Sequence, residues 1–423
     1  MSTTVRAGYM QTEVGMLPNE WRVKSLGEMS AISSGGTPSR GRSEYWNGAI
    51  PWITTSQIDF TEIDTANQFI TAEGLQNSAA RLLPPGTLLL ALYGQGKTRG
   101  KVAVLAIFAA TNQACAAIEV IRDVSASFLL HFLTSQYDSI RGMSNGGSQD
   151  NLNSRIVKSI LVPLPTPAEQ RAIAAALSDV DALLAKLNAL VAKKRDLKQA
   201  AMQQLLAGQT RLPGFSGEWE VRPLASVVAN LEAGVSVNSV EYGRPFGSGE
   251  SCILKTSAIF DGHFDPEECK LIAQRDVSRA RLSPRRDTII ISRMNTPNLV
   301  GEVGYVSEDF PTLCLPDRLW MTRFAPGADI CARWLAYVLS SAHIKETIKG
   351  LATGTSGTMK NIGKSALLAL QLQFPPGAEQ TAIATVLSDI DAELVALEAR
   401  REKTRALKQG MMQELLTGRI RLV

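Results

Sequence analysis

The sequence has no framework for disulfides or for a bound metal. Its five cysteines, at positions 115, 252, 269, 314 and 331, form no CxxC pair and are odd in number. That spacing suits reduced thiols in a cytoplasmic protein better than cross-links or a zinc site. Three histidines, His131, His263 and His343, are scattered and add no cluster. Long hydrophobic runs are missing as well: runs such as Leu88–Leu92 are strand-sized, whereas a membrane helix takes ~18 consecutive apolar residues. The opening MSTTVRAGYMQTEVGM has no apolar signal core, so neither export nor a membrane role is expected. No GxxxxGK[ST] loop is present, no GxGxxG opens a helix after a strand, and no NPPY-like tetrapeptide occurs. A nucleotide cradle, a dinucleotide fold and adenine methyl transfer therefore lack their usual signatures, and no cofactor is expected. One D…ExK triplet, Asp261, Glu268 and Lys270, resembles a metal-nuclease site. Its spacing is cramped, and such triplets are common by chance.

What is present is a chain of 423 residues with 45% hydrophobic and 20% charged side chains. That is an ordinary composition for a globular protein, at a length that suits two or three cores. A net charge of +4 does not say where the charge sits. Local clusters say more: Lys97, Arg99 and Lys101 lie close together, and Arg275, Arg279, Arg281, Arg285, Arg286 and Arg293 crowd a second stretch. A solvated face is the default reading of both.

The chain repeats itself. Ala168–Leu212 recurs as Ala378–Leu422 at a constant offset of 210 residues without a gap, identical at 26 of 45 positions. Both copies read as long helices. Ile173, Leu177, Val180, Leu184 and Leu187 step by four and three, as do Ile383, Leu387, Ile390, Leu394 and Leu397, which is the spacing of a coiled-coil seam. Each stripe then steps ten residues, to Leu197 and to Leu407, breaking the heptad. Thr166, Pro167 and Glu169 predict a capping box at the first helix, and Gly208 and Gly418 stand where the helices end. Upstream, Trp21 with Leu26 matches Trp219 with Leu224, and Thr55-Ser56 matches Thr256-Ser257. Residues 82–104 resemble 282–306, with Gly100 and Val102 opposite Gly301 and Val303. The two tryptophans are expected to anchor cores.

These patterns predict an α+β chain. Two globular α/β domains are separated by two long, antiparallel, coiled-coil-like helices with pseudo-twofold internal symmetry. The expected boundaries are a tail over 1–16, a first domain over 17–163, a helix over 164–212, a second domain over 213–374 and a second helix over 375–423. A helix from Glu169 to Leu206 extends roughly 57 Å at about 1.5 Å per residue, against ~34 Å for one turn of DNA.

The twice-used P…AEQ–(R/T)AIA…LSD(V/I)DA helix begins at Pro167-Ala168-Glu169-Gln170 and at Pro376-Gly377-Ala378-Glu379-Gln380. With the tryptophan patterns and Gly100-Lys101-Val102 followed by Thr111-Asn112-Gln113, it resembles the specificity subunit of type I restriction–modification systems over nearly the whole chain. The resemblance implies two target-recognition domains reading the halves of a bipartite site on double-stranded DNA, with the helices setting the gap. It implies as partners two modification subunits that methylate adenine with S-adenosylmethionine, and restriction subunits that use ATP. It implies no catalysis by this chain. The second copy departs from the pattern at Glu302, opposite Lys101, and at Asp317-Arg318 in place of Asn112-Gln113.

Sequence-specific binding needs cations for phosphates and amides or guanidinium groups for base edges. The candidates in the first domain are Arg40, Arg42, Tyr93, Gln95, Lys97, Thr98, Arg99, Lys101, Asn112, Gln113 and Asn151. Those in the second are Lys255, Arg293, Asn295, Asn298, Arg318, Lys360 and Asn361. The glycine-rich loops Ser34–Arg42, Gly146–Asn153 and Gly354–Asn361 are read first as plain surface loops. Arg195, Lys198, Gln199 and Lys408 are candidates for contacting modification subunits. The competing reading is a scaffold with two protein-binding heads on a coiled coil.

Overall fold

The computed structural model describes residues 7–94, 97–143, 151–241, 249–354 and 359–423. They form two compact units, residues 1–188 with 399–423, and residues 189–398.

In the first unit an antiparallel sheet runs Ser30–Ser34, Cys115–Val120, Leu88–Ala91, Val102–Leu105, with Glu62–Ile63 added in parallel at the edge. The middle strand is apolar at every position because both its faces are covered. Leu88 and Leu90 pack with Val102, Ile118 and the helix side chains Phe128, Leu129 and Leu133, while Leu89 and Ala91 pack with Ile53, Ile58 and Leu105. The second unit repeats the strand order, Val228–Ala233, Leu319–Phe324, Thr288–Ser292, Val303–Val306. Beside each sheet lies a smaller one with a single parallel pairing: Trp46–Ile53 with Ala110–Thr111, and Cys252–Leu254 with Leu313–Cys314. The faint likeness between residues 82–104 and 282–306 thus marks equivalent strands. Cys115, in the first core, is completely buried, and burial pushes its thiol up to about 12, which leaves it unreactive.

Some local expectations differ from the structure. Tyr9–Thr12 and Gly15–Pro18 form a hairpin rather than a tail, and the Tyr9 hydroxyl donates to the Gly418 carbonyl at 2.9 Å. The helical patterns near residues 127–141 and 330–349 are each two short helices, Ala126–Ser135 with Tyr137–Gly142 and Ala332–Ser340 with Ala342–Gly350.

The long helices span Pro167–Leu206 and Gly377–Leu415. Each contributes its first half to the unit that precedes it in the chain and its second half to the other. Within a unit the two halves run antiparallel, since partners rise along one helix as they fall along the other. Asp181 meets Lys408 at 2.5 Å in the first unit, and Lys198 meets Asp391 at 2.6 Å in the second. Lys194–Glu393 and Arg195–Glu398 are further pairs. Arg195, Lys198 and Lys408, expected to face other subunits, are therefore engaged within their own units. Ile173, Leu177, Leu187, Ile383, Leu387 and Leu394 are buried, and Val180, Leu184, Ile390 and Leu397 are half-buried. The ten-residue step fails: Leu197 is 51% and Leu407 58% exposed. Ten residues at about 100° each leave a side chain roughly 80° off the stripe. Val191, four residues after Leu187, is buried instead.

The repeated Glu-Gln explains itself in contacts. Glu169 is 1% exposed. Its carboxylate accepts from Trp21 Nε1 at 2.9 Å and from Arg421 Nε and Nη2 at 2.6 and 2.9 Å. Glu379 is fully buried and accepts from Trp219 Nε1 at 3.2 Å and from Arg211 Nε and Nη2, both at 2.6 Å. The expected capping box is therefore half made. The Thr166 hydroxyl accepts the Glu169 N–H at 3.4 Å, but the Glu169 carboxylate turns inward to the tryptophan and arginine. Gln170 accepts from the Ser125 N–H and donates to the Pro165 carbonyl, both at 2.9 Å. Gln380 does the same with Cys331 and Pro375, both at 2.9 Å. One amide thus stitches each long helix to the short helix packed beside it.

Two expectations follow. Arg421→Ala leaves a buried carboxylate uncompensated and lowers unfolding free energy by about 3–5 kcal/mol in urea titrations, while Glu169→Met with Arg421→Met recovers part of it. The second concerns His131, buried with Nε2 at 3.1 Å from the Ser178 hydroxyl. Burial pulls its imidazole down to about 4 and Lys408 adds to this, against the opposing pull of Asp181. The unfolded chain then binds the extra proton between about pH 6.5 and 4, so stability falls as pH drops through that window. Melting curves of His131→Gln are expected to be flatter across it than those of the parent chain.

Candidate nucleic-acid interface

The middle strand of each large sheet ends in the same backbone junction. In the first unit the Leu92 N–H donates to the Ala114 carbonyl at 2.8 Å, and the Leu92 carbonyl accepts from the Leu152 N–H at 3.0 Å. In the second, the Arg293 N–H donates to the Arg318 carbonyl at 3.1 Å, and the Arg293 carbonyl accepts from the Ile362 N–H at 2.9 Å. The chain leaves each strand and returns through a glycine of positive φ, Gly100 at 85° and Gly301 at 83°. These glycines donate to the carbonyls of Ala91 and Ser292, at 2.9 and 2.8 Å. Only glycine takes that conformation without strain.

The first junction gathers Tyr93, Asn112, Gln113 and Asn151. Gln113 is exposed, and its Oε1 accepts from the Thr37 hydroxyl at 2.5 Å. Asn112 caps its own turn, Oδ1 accepting from the Ala114 N–H at 3.2 Å. Thr37 belongs to the loop Ser34–Arg42, which is no plain surface loop. A Cβ on Gly35 would sit 2.0 Å from the Thr111 carbonyl oxygen, and the Gly36 N–H donates to that same oxygen at 2.8 Å. Beyond it the Arg40 guanidinium lies 3.9 Å over the Trp46 ring and 5.2 Å from that of Trp52, while Arg42 pairs with Glu44 at 3.3 Å.

The Lys97–Lys101 cluster divides. Lys97 is exposed, and its carbonyl accepts from the Tyr137 hydroxyl at 2.6 Å. Thr98 closes the turn, its carbonyl accepting from the Lys101 N–H at 3.1 Å. Arg99 donates to the Arg141 carbonyl at 2.9 Å, and Lys101 bonds Asp59 at 2.5 Å. Both are held by their own unit. Gln95 lies outside the described residues.

The second junction is cationic. Arg293, Arg318, Lys360 and Asn361 come together because Met294–Asn295 pairs with Lys360–Ile362. The Arg293 guanidinium lies 5.5 Å over Trp320, and Lys360 Nζ donates to the Gly354 carbonyl at 3.2 Å. Asn361 Oδ1 is buried without a hydrogen-bond partner. Asn298 is exposed in the turn that follows. Two candidates are corrected. Asn295 points inward, Nδ2 donating to the Ser292 hydroxyl at 3.2 Å and Oδ1 accepting from the Thr296 N–H at 2.8 Å. Lys255 sits between Glu241 and Glu268, at 3.5 and 3.8 Å, so its charge is already compensated.

The residues that sequence reasoning passed over are Thr37 and the Trp46–Trp52 pair beneath Arg40. Thr37 carries no pattern that would single it out, whereas two tryptophans close to an arginine-bearing loop were a signal. The nuclease-like triplet is split: Asp261 pairs with Lys345 at 3.3 Å, while Glu268 and Lys270 belong to a second network through Lys255 and Glu241, Lys270 meeting Glu241 at 2.8 Å. Among the described residues no three or more His, Cys, Asp or Glu side chains converge as a metal site, and no helix is long and apolar enough to cross a membrane.

Two like units of mixed α/β build, each ending its central strand in a polar or basic junction, define a class of paired recognition modules. The family described as "Type I restriction modification DNA specificity domain" matches residues 18–193 and 281–406, and the chain belongs to that family. It is 30% identical over 182 residues to the MjaIX specificity subunit of Methanocaldococcus jannaschii, a match spanning 42% of this chain and 41% of that relative. It is 21% identical to the EcoKI specificity subunit of Escherichia coli K12 over 422 residues, 96% of this chain and 90% of the relative. The fold resembles the crystal structure of the type I restriction–modification S subunit from M. genitalium, with a TM-score of 0.61 at 14% identity, covering 93% of this chain and 96% of the other. If the Asp261, Glu268 and Lys270 triplet carries no chemistry, Glu268→Ala leaves host DNA modification and restriction unchanged and shifts stability by no more than ~0.5 kcal/mol; plaque assays and melting curves check this.

Proposed function

We propose that this chain is the non-catalytic, sequence-reading subunit of a type I restriction–modification complex. It reads a bipartite, asymmetric site on double-stranded DNA in the cytoplasm, one half through each recognition domain, 17–163 and 213–374. The observation that carries the reading is the duplicated junction: one hydrogen-bonded backbone plan built twice, with Leu92 and Ala114 in one copy and Arg293 and Arg318 in the other. A shared frame bearing different side chains suits two modules that select different sequences. Amides and an exposed phenol in the first copy favour base edges, while Arg293 and Lys360 of the second add affinity for phosphates.

The contacts fall to Arg40, Tyr93, Lys97, Gln113 and Asn151 in the first half and to Arg293, Asn298, Arg318, Lys360 and Asn361 in the second. The helical segments 164–212 and 375–423 set the gap between half-sites. They also engage two methyltransferase subunits that use S-adenosylmethionine, and through them the ATP-dependent restriction subunits. Full-length similarity to specificity subunits supports this assignment of partners.

Mapping methylated adenines in the host genome with the gene intact and deleted tests the proposal. Loss of one split motif with a fixed gap is expected on deletion. An unchanged methylome would overturn the reading and favour the protein-binding scaffold.

A further inference from the structure

The turn joining Leu313–Cys314 to Leu319–Phe324 carries an acid and a base that the rest of its unit leaves unused. Asp317 and Arg318 are both exposed. Neither has a salt-bridge partner among the described residues, whereas Lys255, Lys270, Arg279, Arg323 and Lys345 each face a carboxylate. The turn is nevertheless held in place, because the Arg318 carbonyl accepts the Arg293 N–H at 3.1 Å. Its neighbours at the junction are restrained differently. Arg293 is pinned over Trp320, and Lys360 is tied to the Gly354 carbonyl at 3.2 Å.

The pairing of charges discriminates between phosphate and base as the ligand. A carboxylate next to a guanidinium repels a phosphate and cancels much of the long-range pull that a lone arginine exerts. A base edge presents acceptors and a donor side by side, which suits both groups. The guanidinium fork matches guanine O6 and N7, and a carboxylate accepts from the amino group of cytosine.

We propose that this turn reads a G·C step of the half-site in the major groove, Arg318 donating to the guanine and Asp317 accepting from a cytosine amino group. Arg293 and Lys360 then hold the flanking phosphates. The inference rests on the DNA-reading function proposed above and names what one unit selects.

The test is a methylome of hosts carrying Arg318→Ala, Arg318→Lys or Gln113→Ala, set against intact and deleted genes, with thermal midpoints of the purified chains. In the intact strain, sites altered at one G·C position are expected to be methylated roughly ten- to a hundredfold less than the cognate motif. Arg318→Ala should bring the two close to parity at that position alone, and Arg318→Lys should restore part of the preference. Gln113→Ala should act only in the other half of the motif. A uniform fall in methylation with an unaltered motif would mean a phosphate contact and overturn the proposal, as would an unaltered motif at full occupancy. If deletion itself removes no motif, the DNA-reading function fails rather than this assignment alone.

Discussion

Two buried carboxylates, Glu169 and Glu379, constrain everything else in their units. A charge at 1% or less exposure survives only if it is paired and fully hydrogen-bonded. Each is satisfied by an indole N–H and by a two-nitrogen contact from an arginine a few residues past the end of a long helix. In the first unit this ties residues 21, 169 and 421 together, segments that no local interaction would bring near one another. The arginine belongs in each case to the other copy of the repeat, since Arg211 serves Glu379 and Arg421 serves Glu169. Neither half of the duplicated sequence therefore completes its own clamp.

Around those clamps the same residues recur wherever the helices are held. Asp181 with Lys408 and Asp391 with Lys198 are one contact made twice. Ser178 and Ser388 both reach a side chain from the short helix beside them, but one meets His131 and the other Tyr337, whose phenol burial pushes well above its usual range. Identity is retained along the helices and begins to drift where a head takes part. At the junctions, side-chain identity is lost while the backbone bonds of Leu92 and Arg293 persist. Main-chain hydrogen bonds do not depend on which side chain is attached, so a junction built from them keeps its shape while its chemistry changes.

Charge follows the same division. Most cations in the second unit face carboxylates, but Arg293, Arg318 and Lys360, which have no salt-bridge partner among the described residues, meet at the junction, where the first unit has Leu92 and Ala114 instead. Six arginines fall between positions 275 and 293. Of these, Arg279 is committed to Asp276, and Arg281 to the Ser278 carbonyl at 2.9 Å. The cations of the junction come from three separate segments, which is why no run in the sequence marks them.

The sequence by itself determined the duplication, the two long helices and the α/β heads. A constant offset and a four-three apolar step are local properties of the chain, and helix formation follows them directly. It also marked Glu169-Gln170, Trp21 and Gly100 as repeated features without saying what they do. Only the tertiary structure decided that the glutamate serves a clamp rather than a cap, and that Leu197 and Leu407 leave the stripe. It alone turned Asn295 inward, tied Arg99 and Lys101 to partners in their own unit, and brought Arg318 beside Arg293 and Lys360. Those outcomes depend on side-chain direction and on partners dozens to hundreds of residues away. Residue type states what a group is able to bond, but packing decides which bond is within reach.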